Sequence, residues 1–178
     1  MLRSSWRLNE LTVNYRTPAE VADTARRVAV AADLPVSPLT SARDVEDSLV
    51  VEERSDLVAA VTERTEKLAA EVTDSSGAGR IAVIAVQSRL EGIAEALRAA
   101  GLRPALGTGS SAADLDAPLL VLTPREAKGL EFDVVVLVEP AEVIDASAGD
   151  LYVAMTRPTR ALHVFHDRPL PRGWAPER

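Results

Sequence analysis

Residues 121–133, VLTPREAKGLEFD, are the stretch whose reading decides this chain. The apolar run 119–122 ends at Thr123, and a second apolar run, 134–138, starts eleven residues beyond that threonine. Short runs of this kind suit parallel strands buried on both faces. Thr123 then stands at the carboxyl edge of its strand, where open α/β sheets place ligands. Pro124 can start a short helix with Thr123 as its N-cap, and the free amides there, with the Thr123 hydroxyl, could hold a phosphate. Lys128 and Gly129 turn the chain into the next strand. The competing reading is an ordinary strand–turn–strand unit with a capped helix.

Working outward, residues 10–14 (ELTVN) alternate apolar and polar side chains, the strand period. Thr17 and Pro18 read as N-cap and first residue of a helix over 18–32. Residues 34–41 hold two prolines and form a loop, and 45–51 are a strand candidate. Ser55 and Asp56 open a helix that runs to about residue 72, and 74–79 is a turn-rich break. Residues 80–86 (RIAVIAV) predict a buried parallel strand. The amphipathic pattern 88–100 predicts a helix capped by Ser88 and stopped by Gly101. Residues 107–116 (GTGSSAADLD) form a polar loop, 151–156 one or two helical turns, and 161–165 a last strand. Strands alternating with helices imply a mostly parallel sheet with helices on both faces.

The 178 residues fit one domain, taken as 1–168, followed by a proline-rich tail, 169–178, expected to be poorly ordered. With 47% hydrophobic but only 3% aromatic residues, the core must be built from Ala, Val, Leu and Ile, with Trp6 and Trp174 packing peripherally. The absence of cysteine excludes disulfides and thiolate metal sites. No run approaches the ~20 apolar residues that span a bilayer, so a soluble, cytoplasmic protein without membrane partners is expected. A net charge of −7 argues against strong stand-alone binding of nucleic acid, whose affinity comes largely from neutralising phosphates. It favours a protein partner or a groove completed by another domain.

No GxxxxGK[ST] phosphate loop occurs in the sequence. GTGSS at 107–111 has the glycines but no lysine. Glu139 ends the strand VVVLVE and imitates a metal-holding acid, but with no phosphate loop beside it the plainer reading, a strand-end carboxylate, is preferred. His163 and His166 lack further ligands at metal spacing, so both read as structural or solvent-facing, and no metal site is expected. In residues 151–157, LYVAMTR, Arg157 closes a helical pattern, where a cation interacts favourably with the helix dipole. In NYRTP, residues 14–18, Arg16 could be any surface charge.

TPREAKGLEFD resembles motif V of superfamily 1 helicases of the UvrD/Rep type, whose usual form is T-x-H-x-[SA]-K-G-L-E-[FW]-D. LYVAMTR resembles motif VI and NYRTP motif IV, in family order. The resemblance implies a three-layer RecA-like α/β domain, the second motor domain of such a helicase, without its own phosphate loop. It implies that Thr123 and Arg125 contact single-stranded nucleic acid, that Glu131 reaches the ribose of ATP, and that Gly129, which permits a tight turn, and Lys128, near phosphate, belong with Glu131 to the ATP-binding residues. Arg125 stands where the family has histidine, a departure that changes the geometry of any phosphate contact. Tyr15 is implied to stack on adenine, and Arg16 and Arg157 to reach the γ-phosphate as arginine fingers. Mg²⁺ would be held on an N-terminal motor domain absent from this sequence. The short loop 107–116, in place of a large insertion, most resembles the RNA-polymerase-associated HelD group. Where the family usually carries basic residues before motif VI, this chain has Ala148-Gly149-Asp150. The alternative is a docking module for RNA polymerase with little direct nucleic-acid binding. By itself the domain is expected to hydrolyse no ATP.

Overall fold

The computed structural model describes residues 13–14, 16–36, 40–41, 43–74, 79–107 and 114–175. Tyr15, Trp6, most of the expected strand 10–14 and residues 108–113 of the polar loop lie outside the described residues. The elements run β1 (Val13–Asn14), α1 (Ala19–Ala31), β2 (Thr40–Ser41), β3 (Leu49–Glu53), α2 (Leu57–Asp74), β4 (Ile81–Ile84) and α3 (Gln87–Ala99). There follow β5 (Ala105–Leu106), a 3-10 turn (Asp114–Asp116), β6 (Leu119–Leu122), β7 (Phe132–Val138), α4 (Pro140–Ala146), α5 (Ala148–Met155) and β8 (Pro158–His166).

Six strands form one sheet in the order β3-β8-β7-β4-β6-β5, every pair parallel. β1 and β2 pair separately, also in parallel. The alternation of side chains along β4 sends Ala82 and Ile84 to one face and Ile81 and Val83 to the other. α1, α4 and α5 bury Val21, Val28, Val143, Leu151 and Met155 against the first face. α2 and α3 bury Leu57, Val61, Leu68, Leu90, Ile93 and Leu97 against the second. The result is the expected three-layer sandwich, with an aliphatic core in which Phe132 and Phe165 are the fully buried aromatic exceptions.

Local chemistry explains most boundaries. Asp56 accepts from the Ala59 amide at 3.0 Å and so caps α2. α3 ends in a Schellman pair, Leu102 N–H to the Leu97 carbonyl and Gly101 N–H to the Arg98 carbonyl, each 3.0 Å. Two expected caps are different in the structure. α3 starts at Gln87 after Val86, and Ser88 lies exposed inside the helix. α1 starts at Ala19 with no side-chain cap, and Thr17 is buried, its hydroxyl donating across the fold to the Thr156 carbonyl at 3.4 Å. α4 was not foreseen. Pro140 at its first turn follows β7 directly, through Glu139 in the left-handed region at φ 50°.

The proline-rich segment also departs from expectation. Within 169–175, Trp174 is buried among core residues that include Val21, Ala25 and Val28 of α1. Arg27 on α1 holds the segment by donating to the carbonyls of Gly173 at 3.2 Å and Trp174 at 3.1 Å. Burying the large indole surface offsets the entropy of ordering these residues.

Candidate functional site

The parallel sheet has two working edges. Thr123 follows β6 at the carboxyl edge, as expected. Glu131 and Arg157 precede β7 and β8, at the amino edge. The turn 123–131 joins the two.

At the amino edge, three residues far apart in sequence converge. Arg16 forms an ion pair with Glu131. Arg157 feels the charge of both Glu131 and Arg16, and burial, the larger influence, holds its pKa below the usual arginine value. Its guanidinium is held in place by the Val153 carbonyl (Nε, 3.1 Å), the Leu130 carbonyl (Nη1, 3.2 Å) and the Thr156 hydroxyl (Nη2, 3.2 Å). Arg16 and Glu131 are far more open, with side-chain exposures of 73% and 45%. Exposed pairs of this kind are worth little energetically, so this one can open at small cost.

Arg80 fixes the turn that presents Glu131. Its backbone N–H donates to the Asp133 carboxylate at 2.7 Å and its Nη1 to the Glu131 carbonyl at 3.2 Å. The same guanidinium lies over the Phe132 ring, 5.0 Å from the centroid. Sequence reading placed Arg80 only at the head of a strand. Tyr152 also escaped it. Half-buried beside Arg157, its hydroxyl is pushed up in pKa by burial, an effect that the cation partly opposes.

Gly129 has φ 85°, the left-handed conformation that lets the chain reverse between Lys128 and Leu130. Lys128 is exposed and lines a depression of about 470 Å³ together with Pro124, Arg125, Gly149, Asp150 and Val153. The structure therefore groups Lys128 with Arg125.

At the carboxyl edge, a second depression of about 300 Å³ is lined by residues that include Val86, Gln87, Thr123, Arg125 and Asp150. The amides after Thr123 make a hydrogen-bonded turn, not a regular helix. Nor are the Thr123 donors open to a ligand. Its N–H and hydroxyl both donate to Glu126 Oε2, at 2.7 and 2.8 Å, and the Glu126 N–H reaches back to the Thr123 hydroxyl at 3.3 Å. This is a reciprocal capping box, and its T-x-x-E signature was legible in TPRE. Arg125 donates through Nε to Asp150 at 3.0 Å.

His163 and His166 are both buried, so the solvent-facing option is excluded for each. The Nδ1 of His166 meets the Arg168 carbonyl at 3.0 Å. Glu139 is buried and accepts from the amides of Asp167 and Arg168, at 3.0 and 3.2 Å, which makes it a clamp on the turn after β8. Among the described residues no group of three or more His, Asp or Glu side chains could hold a metal ion. No helix among them is long and apolar enough to cross a membrane.

Two solved structures place the fold. One is the C-terminal domain of a possible DNA helicase from Lactobacillus plantarum WCFS1, at TM-score 0.63 and 20% identity, over 91% of this chain and 92% of that one. The other is the Sulfolobus solfataricus SWI2/SNF2 ATPase core in complex with double-stranded DNA, at TM-score 0.52 and 14% identity, over 92% of this chain but only 35% of that one. At such identities the likeness shows the fold alone, and that fold is the RecA-like α/β sandwich of helicase motor domains. No curated protein matches the sequence. A family model described as the viral superfamily 1 RNA helicase core domain matches residues 42–166, most of the chain. The chain accordingly belongs to the superfamily 1 helicase core family.

Proposed function

We propose that this chain is the second motor domain of an ATP-dependent, cytoplasmic helicase or translocase, one wall of an ATP site whose other wall is an N-terminal phosphate-loop domain of the same protein. The observation that carries the reading is the convergence of Arg16, Glu131 and Arg157 at one sheet edge. One guanidinium paired with the carboxylate, and a second near enough to feel its charge, form a wall suited to a triphosphate and its ribose. Bound there, ATP with Mg²⁺ would supply the phosphoryl group that is transferred to water. The residues of this chain orient and neutralise it. Arg157, pre-positioned by carbonyl oxygens, and Arg16, which swings off Glu131, offset charge that develops on the γ-phosphoryl oxygens. Glu131, once released, accepts from the ribose hydroxyls, and Tyr15 stacks on the base. Thr123 and Arg125, with Lys128 beside them, meet single-stranded nucleic acid at the opposite edge.

Within the superfamily, the short connection between β5 and β6 favours a HelD-like member that acts on RNA polymerase. One observation favours the second reading, a polymerase-docking module: Arg125, the cation aimed at nucleic acid, is already paired with Asp150. Arg157→Ala in the full-length protein tests the first reading. ATP turnover falls about 10³-fold or more if Arg157 is a finger. Unchanged turnover removes that role.

A further inference from the structure

The two groups at the carboxyl edge best suited to take a phosphate are each held by a carboxylate of the chain itself. Glu126 Oε2 receives both donors of Thr123, and Asp150 Oδ2 receives the Nε of Arg125. A carboxylate oxygen accepting one N–H and one O–H at 2.7 and 2.8 Å makes the contacts that a backbone phosphate oxygen would make. The Glu126 carboxylate packs against Gly107, where a Cβ would lie 2.8 Å from its Cδ and 2.9 Å from Oε2, so a side chain at 107 would have to push the carboxylate aside. Asp150 is held at the start of α5 by its N–H to the Ser147 hydroxyl, at 3.2 Å, and its side chain is only 24% exposed. Arg125, by contrast, is 81% exposed and able to swing.

We infer that Glu126 and Asp150 act as internal substitutes for nucleic-acid phosphate, so that binding at this edge proceeds by exchange: a phosphate displaces each carboxylate from its donor. The two acids then set the affinity of the edge. They hold it low unless another part of the assembly draws them away. This rests on the reading of Thr123 and Arg125 as nucleic-acid contacts.

The exchange has a signature in variants of the 178-residue chain, read by anisotropy of a labelled oligodeoxythymidylate. Glu126→Ala frees both Thr123 donors, and binding tightens about three- to tenfold, the worth of one or two net hydrogen bonds. Glu126→Gln removes the charge but keeps an acceptor oxygen, and gains less than the alanine variant. Asp150→Asn exchanges the ion pair for a weaker neutral hydrogen bond that a phosphate displaces, so Arg125 neutralises one more phosphate and the gain shrinks with added salt, the slope of log K against log salt steepening by about 0.7. Glu66→Gln, an equal charge change on α2 across the sheet, sets the baseline for net charge alone. Gains by Glu126→Ala and Asp150→Asn no larger than that baseline overturn the proposal. Asp150→Asn leaves the 123–131 turn untouched and so keeps the test decisive if Glu126→Ala perturbs folding. Thr123→Ala separates the layers. If it weakens binding while the acid variants gain nothing, the Thr123 reading stands and the exchange falls. If it fails to cancel the gain of Glu126→Ala, the Thr123 contact itself is wrong and the exchange falls with it.

Discussion

His163 shows how much one side chain can be asked to tolerate. It sits on β8 between Val50 and Val136, and its Nδ1 has no hydrogen-bond partner among the described residues. Burial, aided by the nearby Arg64 and Arg160 charges, pushes its pKa down from 6.5 to about 4. The folded protein therefore holds it neutral where the unfolded chain would protonate it. A depressed base binds fewer protons when folded, so its contribution is fully present above pH 6.5 and is lost as pH falls toward 4. One proton bounds the slope at about 1.4 kcal/mol per pH unit. Urea titrations from pH 7 to 4 should show that loss in the wild type and a flatter profile in His163→Leu. Arg157 presents the complementary case. Its charge persists despite burial because two carbonyls and a hydroxyl replace the water it has lost. Neither environment can be read from sequence. The identity of Arg157 was legible in LYVAMTR, but its acceptors are the Val153 and Leu130 carbonyls, and backbone atoms carry no letter.

Elements were legible where their side chains repeat. α1, α2 and α3 show helical spacing of apolar residues, and β4, β6 and β7 show short apolar runs, so they fall within a few residues of the expected places. α4 was missed because it has only seven residues and abuts β7 with no intervening loop. Its signal was Pro140, a good first-turn residue, masked by reading Glu139 as a strand end. β8 starts at Pro158, three residues ahead of the expected 161, because pairing with β7 holds residues whose pattern alone is not strand-like. α4 is tied down by the bidentate pair of Glu142 with Arg89 of α3, at 2.6 and 2.7 Å. The hydrogen bond from Arg89 holds the Glu142 carboxyl below its usual 4.5. Glu142→Gln should lower unfolding free energy by about 1 kcal/mol at neutral pH. A depressed acid contributes above its unfolded pKa, so the gap to wild type closes as pH falls below 4.5 through the folded value. A gap constant from pH 7 to 3 would count against the pair.

Over the whole molecule, the candidate residues collect at two edges of the sheet. The amino edge gathers Arg16, Glu131 and Arg157, and the carboxyl edge gathers Thr123, Arg125 and Asp150. The turn 123–131 spans both, which gives events at one edge a short covalent route to the other. The 178 residues contain no GxxxxGK[ST] phosphate loop. The purified chain should therefore show no ATP turnover above a buffer blank in a phosphate-release assay, and turnover abolished by Arg157→Ala would refute this. The strand order has a consequence of a different kind. β8, the last strand of the sheet to be made, lies between β3 and β7. On a ribosome, β3 emerges more than a hundred residues before the strand that joins it to the sheet. Until then its backbone donors and acceptors have no ladder to enter, and the nascent sheet ends at β7. The wait exposes an apolar edge to other chains, a hazard that rises with crowding and slow translation. Completion of the sheet and arrival of Arg157 coincide, because that arginine immediately precedes β8. Newly made protein thus acquires its covering strand and its buried cation in a single late step of biosynthesis.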